Sequence, residues 1–332
     1  MSLLREYILP RLLQWVIVIF VGVTVTFIIP RLAPSDPVQR KYDQIVAFQT
    51  MDPQAARSLR ESLTELYGLE GNMFDQYIGY WGRLIRGDLG PSFTAFPTPV
   101  IDLIWSGLPW TLGLLLVAII ISWFLGLFLG TVVGYFPNSW LSQFTDKTMI
   151  SILPVPYYIL ALLLLIAFTY YLPLFPLVGG ARGQPEFTWE YFKSLIEHAF
   201  LPALSIIIGS TASRFIYARA LTATVLSSDY VRYAETAALP KRNVIVQYVA
   251  RNTLLPQITD LGLSFGTVFS GALITEVVFS YPGIGYTLYN AILQADFNLI
   301  MGITLFSIVG IATASLLVDL SYPLFDPRIR YR

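Results

Sequence analysis

The chain has 332 residues, 55% of them hydrophobic and only 13% charged, with equal numbers of acids and bases. Soluble domains carry about 25% charged residues, so a soluble globule is excluded. Cysteine is absent, which excludes disulfides, thiolate metal sites and a cysteine nucleophile. The zero net charge gives no reason to expect nucleic acid as a partner.

What remains is an all-α polytopic membrane protein. No charged residue lies between Asp102 and Asp146, or between Lys147 and Arg182, and either stretch exceeds the roughly 20 residues that cross a bilayer. Hydropathy predicts six spans, at residues 12–30, 109–135, 149–172, 200–221, 255–279 and 299–320. The first is too long for a signal peptide, and no small-x-small cleavage site precedes Arg31. Residues 1–31 thus read as a cytosolic segment with span one, residues 32–105 as an extracytoplasmic loop domain, and residues 106–332 as the core.

Within the loop domain, Asp52, Pro53 and the run after them predict a capped helix that stops at Gly68. A second helix is predicted over residues 75–86, with Tyr77, Tyr80, Trp81 and Leu84 forming one face. That stripe is expected to pack on the rest of the loop or on the membrane surface. Tight turns follow at residues 86–93, and residues 98–106 read as a short interfacial helix feeding span two.

Orientation follows from the basic residues. A cytosolic N-terminus puts Arg5, Arg11, Lys147, Arg214, Arg219, Arg232, Lys241, Arg242, Arg251, Arg328, Arg330 and Arg332 inside, and leaves only Arg182 and Lys193 in the two short outer loops. Short loops decide the orientation. The expected topology is N-in, C-in.

Residues 222–254 then form a cytosolic loop, charged and helix-prone between two apolar spans. Asp229 is placed to cap a helix beginning at Tyr230. Tyr230, Ala234, Ala237 and Ala238 share a face, while Arg232, Tyr233 and Glu235 point elsewhere. Pro240 ends the helix, and Lys241 and Arg242 carry positive charge at its C-terminal end. A face of small residues suits a groove on a partner. A solvated linker lying on anionic lipid fits the pattern equally well.

Two carboxylates lie within span five, Asp260 near its cytosolic end and Glu276 near its outer end. Such groups face a bundle interior or a cavity, so both are candidates for the translocation path, against snorkelling for Asp260 and a structural hydrogen bond for Glu276. After Glu276 come Pro282, Gly283 and Gly285, which predict an irregular turn serving as an outer gate or as a plain connection.

These motifs, in this order, resemble the membrane-spanning permease subunit of oligopeptide/dipeptide ABC importers, over almost the full length. The cytosolic segment is similar to that family's EAA loop in Asp229, Tyr230, Val231, Arg232, Ala234, Ala238, Leu239 and the later Arg251, Asn252, Leu255 and Pro256. Ala238 stands where the family has glycine. The stretches at 31–37 (with Ser35 for the usual glycine), 67–93, 276–285 and 319–331 resemble further family marks. The resemblance implies a type I importer fold and alternating access. It implies a second homologous permease subunit, two ATP-binding subunits that bring ATP and Mg²⁺, and an extracytoplasmic solute-binding protein. It further implies that residues 229–240, including Glu235 and Pro240, couple to the ATPase. The solute would be a peptide, an oligosaccharide or a metal chelate, taken up through the cell membrane.

The chain has no Gly-x-x-x-x-Gly-Lys-Ser/Thr phosphate loop, so no cofactor is expected in it. An intramembrane enzyme is disfavoured: the single histidine, His198 beside Glu197, has no partner motif. The other class is an ion- or proton-coupled carrier, for which two isolated acids make a poor relay and no inverted repeat is detectable.

Overall fold

A computed structural model describes residues 7–32, 37–46, 52–66, 68–181 and 186–325. Arg5, Ser35, Tyr67, Arg182, Arg328, Arg330 and Arg332, all used above, lie outside the described residues. Within them the chain is helical, and the one β feature is an isolated bridge between Pro91 and Pro99.

Among the described residues, four helices are long and apolar enough to cross a membrane: α1 (Leu9–Leu32), α5 (Val100–Tyr135), α8 (Trp189–Leu226) and α14 (Phe297–Phe325). With 36 and 38 residues, α5 and α8 are about 54 and 57 Å long, well beyond the roughly 30 Å of hydrocarbon. Nothing between Val100 and Pro109 stops the helix. The predicted interfacial helix at 98–106 is therefore the first turns of α5, and the boundary at residue 105 falls inside a continuous helix.

The other two predicted spans are not continuous. In place of 149–172 stand α6 (Trp140–Ile152) and α7 (Tyr157–Leu165), the latter prolonged by π-helix at Ile166–Tyr171, and the two are bent by 99°. Pro154 and Pro156 lie in the bend. Each lacks the backbone N–H that would continue the helix, and at Pro156 the chain leaves the helical region, with φ −58° and ψ 137°. In place of 255–279 stand α11 (Arg251–Thr267), a 3₁₀ turn at Val268–Ser270 and α12 (Leu273–Val278). Gly271, at φ 73°, separates them in a left-handed conformation that glycine adopts without strain.

The central contact joins α5 and α8. Gly126, Gly130 and Gly134 recur every fourth residue on α5, and a Cβ at each would lie 2.5–2.8 Å from Arg214, Ala218 and Thr222 of α8. In lipid, helix association depends on such close approach of backbones.

The loop domain holds α2 (Pro37–Val46), α3 (Pro53–Leu66) and α4 (Met73–Ile85). Asn72 caps α4 in a reciprocal box with Asp75. The aromatic stripe of α4 does not lie on the loop or on lipid. It packs on α1 of the same chain, with Phe27 at 5.1 Å from Tyr77 and 5.6 Å from Tyr80, and Phe20 at 5.9 Å from Trp81. Arg31 closes this contact, its guanidinium 3.6 Å over the Phe27 ring and its Nε donating to Gln76 at 3.1 Å. The loop domain is thereby fixed to the first span.

Candidate functional site

The segment expected to be cytosolic forms α9 (Asp229–Thr236), a single turn α10 (Lys241–Asn243), and a π-helical stretch, Val244–Ala250, leading into α11. Ser228, extended at φ −76° and ψ 143°, is the N-cap. Asp229 is the first helical residue and makes no capping hydrogen bond, which corrects the expectation from sequence. Its charge still sits at the positive end of the helix dipole.

Pro240 does not end the helix. The helix closes three residues earlier, with Ala237 as C-cap and Ala238 left-handed at φ 54°. Ala238 N–H donates to Glu235 O at 2.9 Å and Leu239 N–H to Ala234 O at 3.2 Å. These are the two bonds of a Schellman closure, whose pivot is usually glycine. Ala238 thus adopts the backbone that the family's glycine would supply. Pro240 then caps α10, so Lys241 and Arg242 open the next turn instead of ending α9.

The small-residue face is split. Val231 and Ala234 turn inward onto Val244 and Val249, with Tyr135, Val225 and Tyr248 around them. The open side carries Tyr230, Arg232, Tyr233, Ala238, Leu239 and Pro240, all exposed, with Tyr233 at 77%. Two residues of α5's end brace the segment: Tyr135 OH donates to Glu235 at 3.0 Å, and the Lys241 ammonium lies 5.9 Å from the Phe136 ring. Neither brace is marked by any sequence motif.

The carboxylates of the fifth span have fixed partners. Asp260 is half-exposed and pairs with Arg214 of α8 at 3.3 Å. The same guanidinium donates to Ser122 of α5 and to Ser264 of α11, so one side chain joins three helices. Counting Arg214 as a cytosolic charge conceals this, since it lies within α8.

Glu276 is fully buried. Its Oε1 accepts from Thr111 Oγ1 at 2.9 Å and Ala272 N–H at 3.4 Å, and its Oε2 accepts from Tyr286 N–H at 3.0 Å. Thr111 in turn accepts from Ile284 N–H at 2.8 Å. The carboxylate therefore staples the turn between α12 and α13 (Ile284–Leu293) to α5, and it does not line an open path. Gly283 and Gly285 serve by lacking side chains. A Cβ on Gly283 would collide with Glu276 and Thr111, and one on Gly285 would lie 2.6 Å from Leu273. The left-handed residue of this turn is Ser280, at φ 48°. Asp260, Glu276, Pro282, Gly283 and Gly285 do not form one cluster: Asp260 is tied to α8, and the rest to the outer turn.

One further buried acid carries no sequence signal. Asp296, before α14, accepts from Ser92 Oγ, from Thr94 N–H at 3.1 Å and from Leu299 N–H at 3.1 Å. It joins the loop-domain turn at 86–93 to the last helix.

Similarity to known proteins agrees with this geometry. Residues 124–331 match the family described as "Binding-protein-dependent transport system inner membrane component". The chain is 31% identical to the oligopeptide transport system permease protein AppB of Bacillus subtilis, over 99% of this chain and 100% of that one. It is 31% identical to the dipeptide transport system permease protein DppB of the same organism, over 98% of each. It is 28% identical to the glutathione transport system permease protein GsiC of Escherichia coli, over 98% of this chain and 99% of that one. With its helical membrane core, its capped outer loop and its cytosolic segment accounted for, the chain belongs to the family of binding-protein-dependent transport system inner membrane components.

Proposed function

We propose that this chain is one of two permease subunits of an ATP-driven importer for peptide-like solutes. It crosses the membrane six times with both ends in the cytosol, the bent α6–α7 pair and the broken α11–α12 pair each counting as one span. A binding protein outside delivers the solute. Two ATPase subunits, which hold the ATP and Mg²⁺, push on α9 and its closing turn. The observation that carries the reading is the open side of α9. Tyr230, Tyr233 and Leu239 are exposed side chains with large apolar surfaces beside Arg232 and Lys241, as a protein-docking face requires. A linker lying in water has no use for them.

The solute class is supported by the relatives' names. Oligopeptide, dipeptide and glutathione permeases share the amide bond of their solutes and no particular side chain. Oligosaccharide has no counterpart among those names.

Replacing Ala238 by tryptophan tests the coupling. Its side chain would project from an exposed position between α9 and α10. In proteoliposomes with the partner subunits and the binding protein, peptide uptake should fall about tenfold or more, as for a blocked interface centre, while the subunit still folds. Wild-type uptake would overturn the assignment of this segment.

A further inference from the structure

Among the described residues, one cavity of about 530 Å³ lies between α5 and α8 and is walled by apolar residues such as Leu114, Val117 and Phe192. Nothing in the structure shows what covers it. A second cavity, of about 380 Å³, differs in kind. Both helix breaks meet there: Tyr157 comes from the bend between α6 and α7, Thr267, Ser270 and Gly271 from the break between α11 and α12, and Ser210 and Ser213 from α8.

Five residues with hydroxyls therefore line one pocket, four of them serine or threonine, and among the described residues its lining holds no ionised group. Ser213, Thr267 and Ser270 are exposed. Interrupted backbone at membrane depth is either covered by protein or lines a water-filled cavity, and exposed hydroxyls fit the second. Thr267 donates its proton to Ser264 O at 2.7 Å and Ser270 to Thr267 O at 2.6 Å. Both oxygens keep lone pairs that accept from an incoming N–H. Ser210 and Ser213 can donate to an incoming carbonyl.

We propose that this pocket is a subsite for the amide backbone of a peptide in transit. The proposal rests on the peptide-importer reading above and adds where and how the solute is held. Neutral donors and acceptors match the N–H and C=O groups that every peptide shares, and they neither trap nor repel its charged side chains. The volume falls within the range of roughly 300–1,000 Å³ typical of small-ligand sites. It holds a short piece of a peptide, as a transient subsite should.

The absence of cysteine makes the test direct, because a cysteine introduced here is the only one in the chain. Ser213→Cys and Ser270→Cys are each reconstituted with the partner subunits and the binding protein, and a mixture of di- to pentapeptides is supplied. Both positions should react with a charged maleimide, and ATP-driven peptide uptake should slow that reaction. Ser213→Trp should cut uptake by about tenfold or more while ATP hydrolysis continues. If Ser213→Trp fails to assemble, the cysteine labelling decides. Wild-type peptide uptake with unprotected cysteines overturns the subsite and leaves the importer reading standing. A wild-type transporter that moves no peptide overturns both.

Discussion

The cytosolic segment and the outer turn are built from the same device and put it to opposite uses. Each contains a short helix closed by a left-handed residue that is not glycine, Ala238 after α9 and Ser280 after α12. After α12, Ser280 N–H donates to Val277 O at 3.1 Å and Tyr281 N–H to Glu276 O at 2.7 Å, the same pair of bonds as at Ala238. Around the outer turn the main polar groups are directed inward: Glu276, Thr111 and the amides of Ile284 and Tyr286 pair with one another. Around α9 only Val231 and Ala234 are buried, and apart from Glu235, which Tyr135 holds, its surface is exposed. The outer turn holds its shape through long-range bonds. The segment around α9 is held by a few contacts, the Tyr135–Glu235 bond and the packing of Val231 and Ala234, and leaves most of its side chains exposed.

Removing the inward bonds should therefore have the larger effect. Glu276→Leu strands the Thr111 hydroxyl and the amides of Ala272 and Tyr286, each costing about 1–3 kcal/mol when buried without a partner. Together these remove a large part of a typical stability of about 5–15 kcal/mol. The folded, monodisperse fraction in detergent should collapse, as read by size-exclusion chromatography. Glu276→Gln keeps acceptors for Thr111 and Ala272 but turns an amide donor toward Tyr286 N–H, so an intermediate loss is expected. A Glu276→Leu protein with wild-type yield would mean that the turn is not stapled in this way.

The contrast also marks how much could be read from the sequence. The long helices, α3, α4 and the short charged helix α9 follow from hydropathy and punctuation alone, whereas α2 and the Asn72 cap of α4 do not. The breaks at Pro154–Pro156 and Gly271 do not, because an apolar window averages over a single turn. A helix such as α13, only ten residues long, gives no span signal. Arg214 is hidden because its charge is counted with the cytosolic set, although the predicted fourth span, 200–221, already contains it. Asp296 and Tyr135 lack any motif, since their partners lie 202 and 100 residues away. For the candidate site, the segment was legible and its facing was not. Helical spacing groups Ala234 with Tyr230, but the later strip from Val244 to Val249 folds back and covers Ala234.

A smaller, local effect is expected at the cytosolic segment. Val231→Ala shrinks the contact with Val244 and Val249. The cost should be about 1–2 kcal/mol, between an Ile→Val and a Leu→Ala change. Hydrogen exchange of the amides in α9 should quicken about five- to thirtyfold, since about 1.4 kcal/mol is a factor of ten, with α5 and α8 unchanged. Equal quickening throughout the core would show that the segment is not an independent unit, and the contrast with the outer turn would fail.

The smallest effect has the opposite sign. A left-handed backbone costs a residue with a side chain about 1–2 kcal/mol, whereas glycine loses about 0.5–1 kcal/mol more conformational entropy than alanine on folding. Relief of the first exceeds the second, so Ala238→Gly should stabilise the closure of α9 by about 0.5–1 kcal/mol. Exchange of the Ala238-position and Leu239 amides, which make the two closing bonds, should slow about two- to fivefold. Coupled uptake should be retained, because no exposed side chain of the docking face other than one methyl group is lost. Faster exchange would mean that Ala238 is held left-handed by contacts its methyl makes. In that case the alanine would be a packing residue of this segment in place of a tolerated substitute for glycine.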